Sequence, residues 1–144
     1  MDRKRLYDQL VIDEGRRLDV YLDTKNLPTV GIGHKVLPED NLEVGDTITP
    51  EQCQRFFDSD LDKAILGAKY SFPEFDSLPD EVQEIIINMI FNLGLGGFKK
   101  FLKLIAAINA HDWAAAADEM KNSQWYTQVG DRAKRLEARM RALT

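Results

Sequence analysis

The spacing of apolar residues changes from a helical to a strand period near residue 15. Apolar residues first recur at intervals of three and four, which predicts one face of a helix. These residues are Leu6, Tyr7, Leu10 and Val11. Gly15 stands where the left-handed residue after a helix belongs, so Glu14 is expected in the last helical turn. A two-residue alternation then covers 18–23 and resumes at 30–33, across a turn-rich stretch, and predicts a β-hairpin.

The pattern becomes helical again from residue 48 onward. Thr49, Pro50 and Gln52 form the sequence of a capping box and predict a helix start. A nearly all-round apolar segment at 82–93 predicts a helix at the centre of the core, ended by glycines at 94, 96 and 97. Further helices are predicted at about 99–109, 113–122 and 131–143. The polar segment 35–46 is expected to be a loop or a short third strand.

These elements predict an α+β protein that is mainly helical, with a small β-hairpin lobe. We expect a single domain over residues 1–144, in which about 15–47 form the small lobe and the remainder a helical lobe. A hairpin beside a helical lobe is expected to leave a cleft, the usual place for a substrate. Glu14 and Asp23 lie at this junction of the sequence.

Composition narrows the class of protein. The chain has 30% charged and 44% hydrophobic residues, an ordinary balance for a folded domain. No apolar stretch reaches the ~20 residues of a membrane span, and the N-terminus lacks a secretory apolar segment. One cysteine cannot form an internal disulfide, and with two histidines it argues against a zinc site.

Charge is distributed unevenly along the chain. The net charge is −5, yet residues 98–144 carry nine Lys/Arg against five Asp/Glu. This imbalance could steer an anionic polymer towards the C-terminal part, although solvated helix faces are the simpler explanation. A domain that binds nucleic acid is expected to be basic, so we expect no nucleic-acid partner.

Two carboxylates opposed across a cleft suffice for glycoside hydrolysis. Glu14 ends a helix beside its apolar stripe, where the helix dipole and desolvation would favour the protonated acid. Asp23 lies in a polar turn and is expected to stay ionised, while Thr29 could help it to hold a water molecule. On pattern alone, a helix-end charge and an Asx-turn are the commoner explanation of such residues.

The motifs around these residues resemble those of the phage-type lysozymes, the muramidase endolysins of tailed phages. The resemblance is carried by 14–18, by 21–24 and by Thr-Val-Gly-Ile-Gly-His at 29–34, and it continues through 88–94, 123–126 and 131–135. It implies a lysozyme-like fold with an active-site cleft between lobes. It also implies hydrolysis of the β-1,4 bond from N-acetylmuramic acid to N-acetylglucosamine in peptidoglycan, with inversion, without a cofactor or metal, and with lysis of the cell.

The resemblance also implies roles for individual residues. The catalytic set falls at Glu14, Asp23 and Thr29. The substrate-binding positions fall at Lys35, Phe91, Phe101 and Glu119, of which Phe91 alone keeps the side-chain type typical of the family. Supporting positions are Arg132, expected to contact Glu14, and His34, expected to pair with Asp60. The segment between His34 and Thr49 is shorter than in the T-even coliphage form, so a trimmed small lobe is expected.

Peptidoglycan is the partner that the resemblance implies, for a monomer without membrane insertion. Such a protein is expected in the host cytoplasm until it is released to the cell wall. An alternative is a catalytically weak lysozyme-like domain that binds peptidoglycan within a phage tail or a toxin. The intact Glu14, Asp23 and Thr29 set favours the enzyme, because a binding domain needs no acid opposite a base. A purely structural helical protein would leave the polar hairpin unexplained.

Overall fold

A computed structural model describes residues 1–144. In chain order the elements are α1 (Arg3–Glu14), β1 (Arg17–Leu22), β2 (Pro28–Gly31), β3 (His34–Lys35), α2 (Pro50–Ser71), α3 (Asp80–Phe98), α4 (Leu102–Asn109), α5 (Trp113–Lys121), α6 (Gln124–Val129) and α7 (Asp131–Arg141). Short 3-10 turns cover Pro38–Asp40 and Phe75–Ser77. The helices and the small antiparallel sheet confirm the expected α+β, lysozyme-like class.

The chain divides into two compact units. The first unit is Arg3–Lys63, and the second is Met1–Asp2 with Ala64–Thr144. The first unit holds α1, the sheet and most of α2, whereas the second holds the end of α2 and helices α3 to α7.

The first unit contains the predicted hairpin, extended by one short strand. The sheet has the order β1-β2-β3, with both neighbouring pairs antiparallel. Thr29 lies opposite Tyr21 on one side and opposite Lys35 on the other. The segment after β3 returns to the sheet, because the Val20 N–H donates to Asp46 O at 2.8 Å. Of the polar segment 35–46, which the sequence predicts as a loop or a short third strand, only Lys35 belongs to β3, and the rest is a loop that contains the 3-10 turn.

Helix α2 begins with the predicted capping box. The Gln52 side-chain oxygen accepts from the Thr49 N–H at 2.8 Å, and the Thr49 hydroxyl accepts from the Gln52 N–H at 3.1 Å. Two N–H groups that the first helical turn would leave unpaired are therefore satisfied. The apolar face of the helix is then buried through Cys53, Phe57, Leu61, Ala64 and Ala68.

The core of the second unit is built on α3. Every residue from Val82 to Ile90 is buried, including Gln83, whose side-chain NH₂ donates to the carbonyls of Phe75 and Leu78 at 3.0 Å each. The prediction that glycines 94, 96 and 97 end this helix is only partly right. Gly94 leaves the helical conformation (φ 71°, ψ 163°), but a further turn follows and ends at Phe98. The complete burial of Phe98 favours this turn despite the poor helix propensity of Gly96 and Gly97.

Two details of the C-terminal helices differ from the prediction. Helix α4 begins at Leu102 rather than near residue 99, because 99–101 form a turn. The six-residue helix α6 was missed, since it is too short to show a period. Its N-cap is Ser123, whose hydroxyl accepts from the Tyr126 N–H, and the helix is followed by Gly130 at φ 75°. No single helix is both long and apolar enough to cross a membrane. Helices α3 and α4 reach that length and apolar content only when they are taken together, and the chain bends by 119° between them.

Candidate active site

Glu14 is fixed at the carboxyl end of α1, where the chain turns into the sheet. The Gly15 N–H closes the helix by donating to Val11 O at 2.8 Å, and Gly15 takes φ +75° as expected for the residue after a helix. Gly33, between β2 and β3, packs directly on the Glu14 side chain. A Cβ added to Gly33 would lie 2.8 Å from Cδ of Glu14, so glycine leaves the space that the carboxyl group occupies.

Asp23 is held by the turn between β1 and β2. Its Oδ1 accepts the backbone N–H groups of Lys25 and Leu27, both at 2.8 Å. The Asp23 N–H donates in turn to Leu27 O at 3.0 Å. The Asx-turn that the sequence left open is therefore present. It fixes one carboxylate oxygen and leaves Oδ2 to face other groups.

Lys35 and Thr29 complete this cluster. The register of β2 and β3 places Thr29 opposite Lys35. The Lys35 ammonium lies 2.5 Å from Asp23 Oδ2 and 3.4 Å from Thr29 Oγ1. The buried Thr29 hydroxyl donates to Leu27 O at 2.9 Å. The structure thus brings together three residues that the sequence singled out, although it places Lys35 on the carboxylate, a contact that the sequence did not predict.

The electrostatics of the cluster favour an ionised Asp23. The Lys35 ammonium, followed by the Leu27 and Lys25 N–H groups, lowers the pKa of Asp23 to about 2. The Asp23 side chain is 16% exposed and that of Lys35 is 51% exposed. The carboxylate therefore keeps its charge at neutral pH, as expected for a general base.

His34 binds two carboxylates rather than one. Its Nδ1 lies 2.7 Å from Asp60 Oδ2, which is the expected pair, and its Nε2 lies 2.8 Å from Asp40 Oδ2. The ring also stacks on Phe56 with a centroid distance of 4.1 Å. Burial lowers the pKa of His34, but Asp60 and Asp40 together outweigh it and the pKa is raised. The sequence did not single out Asp40, because the segment that contains it carries no periodic signal.

The other candidate residues belong to the second unit. Phe101 and Glu119 line one groove of about 660 Å³, together with Trp125. Trp125 is 4% exposed, its indole N–H donates to Asn92 Oδ1 at 2.8 Å, and its ring lies nearly perpendicular to that of Phe101. Phe91 is partly buried on α3 and is not among the residues that line this groove.

Arg132 is buried on α7 and anchored to α3. Its Nε donates to Asn88 Oδ1 at 2.7 Å, and a terminal nitrogen donates to Asn88 O at 3.2 Å. The expected contact between Arg132 and Glu14 stays a prediction. The described residues contain no group of three or more His, Cys, Asp or Glu placed to hold a metal ion.

Comparison with known proteins adds a second line of evidence. The phage lysozyme family model matches residues 12–142. "Probable T4-type lysozyme 2" of Dictyostelium discoideum is 30% identical over 153 residues, covering 91% of this chain and 90% of that protein. The "Endolysin" of Salmonella phage P22 is 28% identical over 109 residues, covering 74% of this chain and 71% of that protein.

A third relative is a larger phage protein. The "Pre-baseplate central spike protein Gp5" of Enterobacteria phage T4 is 32% identical over 145 residues, which cover 86% of this chain but 25% of the spike protein. The chain therefore spans about a quarter of that relative. With the family model matching almost the whole chain and a full-length lysozyme relative at 30% identity, this chain belongs to the phage lysozyme family.

Proposed function

We propose that the protein hydrolyses the β-1,4 bond between N-acetylmuramic acid and N-acetylglucosamine in peptidoglycan, with inversion at the anomeric carbon. Family membership supports a glycoside hydrolase acting on peptidoglycan. The inverting mechanism rests on one observation, which is that Asp23 Oδ2 and Thr29 Oγ1 converge on a single donor atom, the Lys35 Nζ.

That convergence suits a nucleophilic water. The Thr29 hydroxyl already donates its proton to Leu27 O, so towards this point it can only accept. Asp23 Oδ2 also accepts only. A water molecule there would donate one hydrogen to each oxygen and keep a lone pair for the anomeric carbon. Asp23 would take the proton as the water attacks, which is the role of the base in an inverting glycosidase.

Glu14 is the proposed general acid. It would protonate the glycosidic oxygen, so that the N-acetylglucosamine alcohol leaves as the bond breaks. Because Gly33 has no side chain, the carboxyl group of Glu14 has a defined place beside the sheet that contains Thr29. A direct attack by Asp23 on the sugar would need neither the Thr29 acceptor nor the convergence point.

Analysis of the cleavage products tests both halves of the proposal. The purified protein is incubated with peptidoglycan, and the new reducing ends are reduced with borohydride and identified. Muramitol is expected, whereas glucosaminitol or 1,6-anhydromuramic acid would overturn the assignment. NMR during the first turnovers should show the α-anomer. A β-anomer would overturn inversion and leave muramidase activity standing.

The similarity to the central spike protein favours a second candidate function. A lysozyme domain carried in a phage tail would open the wall locally rather than lyse the cell, and weak catalysis with retained peptidoglycan binding would suffice. A kcat far below that of the P22 endolysin, together with tight sedimentation on insoluble peptidoglycan, would favour this candidate.

Location and assembly complete the proposal. We propose a monomer that waits in the host cytoplasm and reaches the wall after the membrane opens, as the resemblance to endolysins implies. Light scattering after size exclusion measures the mass against 16.4 kDa for one chain. Fractionation of an expressing host would show the protein with the cytoplasmic fraction; recovery from the periplasm would contradict this location.

A further inference from the structure

The two oxygens of the Asp23 carboxylate are not equivalent. Oδ1 accepts two backbone N–H groups of its own turn, so it is committed to holding the loop. Oδ2 has the Lys35 ammonium as its partner. If Asp23 takes a proton from water, Oδ2 is therefore the oxygen that has to receive it.

The Lys35 ammonium occupies the place that this water needs. It donates towards Asp23 Oδ2 and lies 3.4 Å from Thr29 Oγ1, the two acceptors assigned to the water above. An ammonium nitrogen and a water oxygen are similar in size, and both donate more than one hydrogen bond. Lys35 and a bridging water therefore compete for the same pair of acceptors.

The two partners of this ion pair differ in mobility. Asp23 is fixed by its turn, whereas the Lys35 side chain is 51% exposed and carries a flexible four-carbon stem. Because the ammonium end of the pair is open to solvent, water screens its attraction to Asp23 and lowers the cost of separating the two groups. Lys35 can thus move into solvent without disturbing the carboxylate or the sheet.

We propose that Lys35 is a positioning residue that guards the base: its ammonium covers Asp23 Oδ2 and Thr29 Oγ1 in the free enzyme and has to withdraw before water can bind there. This inference rests on the proposed function of Asp23 as base. It assigns Lys35 a role towards the carboxylate instead of the sugar contact that its sequence position implies. The guard limits kcat, because only the fraction of enzyme–substrate complex with Lys35 withdrawn reacts.

Substitutions at position 35 distinguish a guard from a catalytic support. Lys35→Met keeps an unbranched apolar stem that is one atom shorter and removes the ammonium group. Lys35→Arg presents a planar fork with several N–H donors, which could donate to Asp23 Oδ2 and Thr29 Oγ1 at once and would be harder to displace. If Lys35 is a guard, kcat is highest in Lys35→Met, intermediate in the wild type and lowest in Lys35→Arg. Each step in this series should change kcat by about two- to fivefold, the range that solvent-screened ion pairs contribute. For a support, Met is the slowest and Arg restores activity.

The experiment measures kcat and KM on soluble, uncross-linked peptidoglycan strands near neutral pH. Lys121→Met, an exposed lysine at the end of α5, is the charge-matched control and should leave kcat unchanged. A lower kcat in Lys35→Met, or no change, overturns the guard. A higher KM with kcat unchanged also overturns it and returns Lys35 to sugar binding.

A crystal structure of Lys35→Met separates this inference from the proposed function. A water within hydrogen-bonding distance of both Asp23 Oδ2 and Thr29 Oγ1 is expected. If the wild-type protein releases no reducing ends, the proposed function fails, yet this structure still shows whether Lys35 held the place of a water. If the wild-type protein is active and no such water binds, the guard alone fails.

Discussion

Gly33 packs so closely on the Glu14 side chain that only glycine fits at position 33 without displacing that side chain. A Cβ at Gly33 would be 2.8 Å from Cδ and 2.9 Å from Cβ of Glu14, and Gly33 also takes φ +64°. Gly33→Ala should therefore push the carboxyl group out of its place. We expect activity on peptidoglycan to fall by about 10²-fold, the usual cost of displacing a catalytic group by about 1 Å.

The chain provides a matched control for the backbone effect. Gly45 also has a positive φ, +96°, but an added Cβ would meet nothing within 4 Å. Gly33→Ala and Gly45→Ala should each lose about 1–2 kcal/mol of stability for a left-handed L-residue. If both variants lose activity equally, the steric argument at Glu14 is wrong and strain alone explains the loss.

The sequence predicted elements best where one local rule decides the structure. The capping box of Thr49 and Gln52 and the left-handed Gly15 both lie where expected, since each depends on neighbours in the chain. The turn after Gly94 was missed because burial of Phe98 decides it, and burial depends on distant residues.

The candidate site shows the same division. The motif spacing placed Asp23 and Thr29 in one hairpin, and the register of β2 and β3 brings Lys35 beside them. The spacing of apolar and polar residues does not reveal that the Lys35 side chain contacts the Asp23 carboxylate once β2 and β3 are paired. Asp40 reaches His34 through an irregular segment, so pattern analysis had no means to pair them.

Glu14→Gln tests the general acid directly. The amide keeps the shape of the side chain but cannot donate the proton that the leaving oxygen needs. Activity should fall by at least about 10²-fold, the lower end of what general acid catalysis supplies. Glu51→Gln, at an exposed site on α2, is the control and should keep full activity. Near-wild-type rates in Glu14→Gln with an unchanged Tm would rule out Glu14 as the acid.

Thr29→Val tests the acceptor proposed for the water. Valine matches threonine in shape at this buried site but removes the oxygen and its bond to Leu27 O. We expect kcat to fall at least about tenfold, since a bridging water would lose one of its two acceptors. Thr29→Ser keeps an oxygen and should retain most activity. Equal kcat values in Val and Ser variants would exclude a role for the hydroxyl.

The His34 cluster should make stability depend on pH, because its geometry requires the imidazolium. Both ring nitrogens face a carboxylate, and a neutral ring can donate to only one of them. The pKa of His34 is raised, so its contribution is complete below the unfolded value of about 6.5 and is lost as pH rises through the folded value.

Asp40 sets the lower pH limit of this stabilisation. Burial raises the pKa of Asp40, but the Leu37 N–H and His34 outweigh it and the pKa is lowered. Its contribution is complete above the unfolded value of about 3.9 and is lost as pH falls through the folded value. Both contributions are therefore complete between about pH 4 and pH 6.5.

Asp40→Asn measures this coupling by urea unfolding. At about pH 5.5 the variant should lose of the order of 1 kcal/mol relative to wild type, and the loss should shrink as pH rises towards about 8.5, because the His34 contribution is lost through its raised folded pKa. Asp62→Asn, at an exposed site on α2, controls for the loss of one carboxylate and should show no such difference. A cycle with His34→Gln isolates the pair, because Asp40→Asn should cost little once the imidazolium is absent. An equal cost of Asp40→Asn at both pH values would show that its bond to the Leu37 N–H, rather than His34, stabilises the loop.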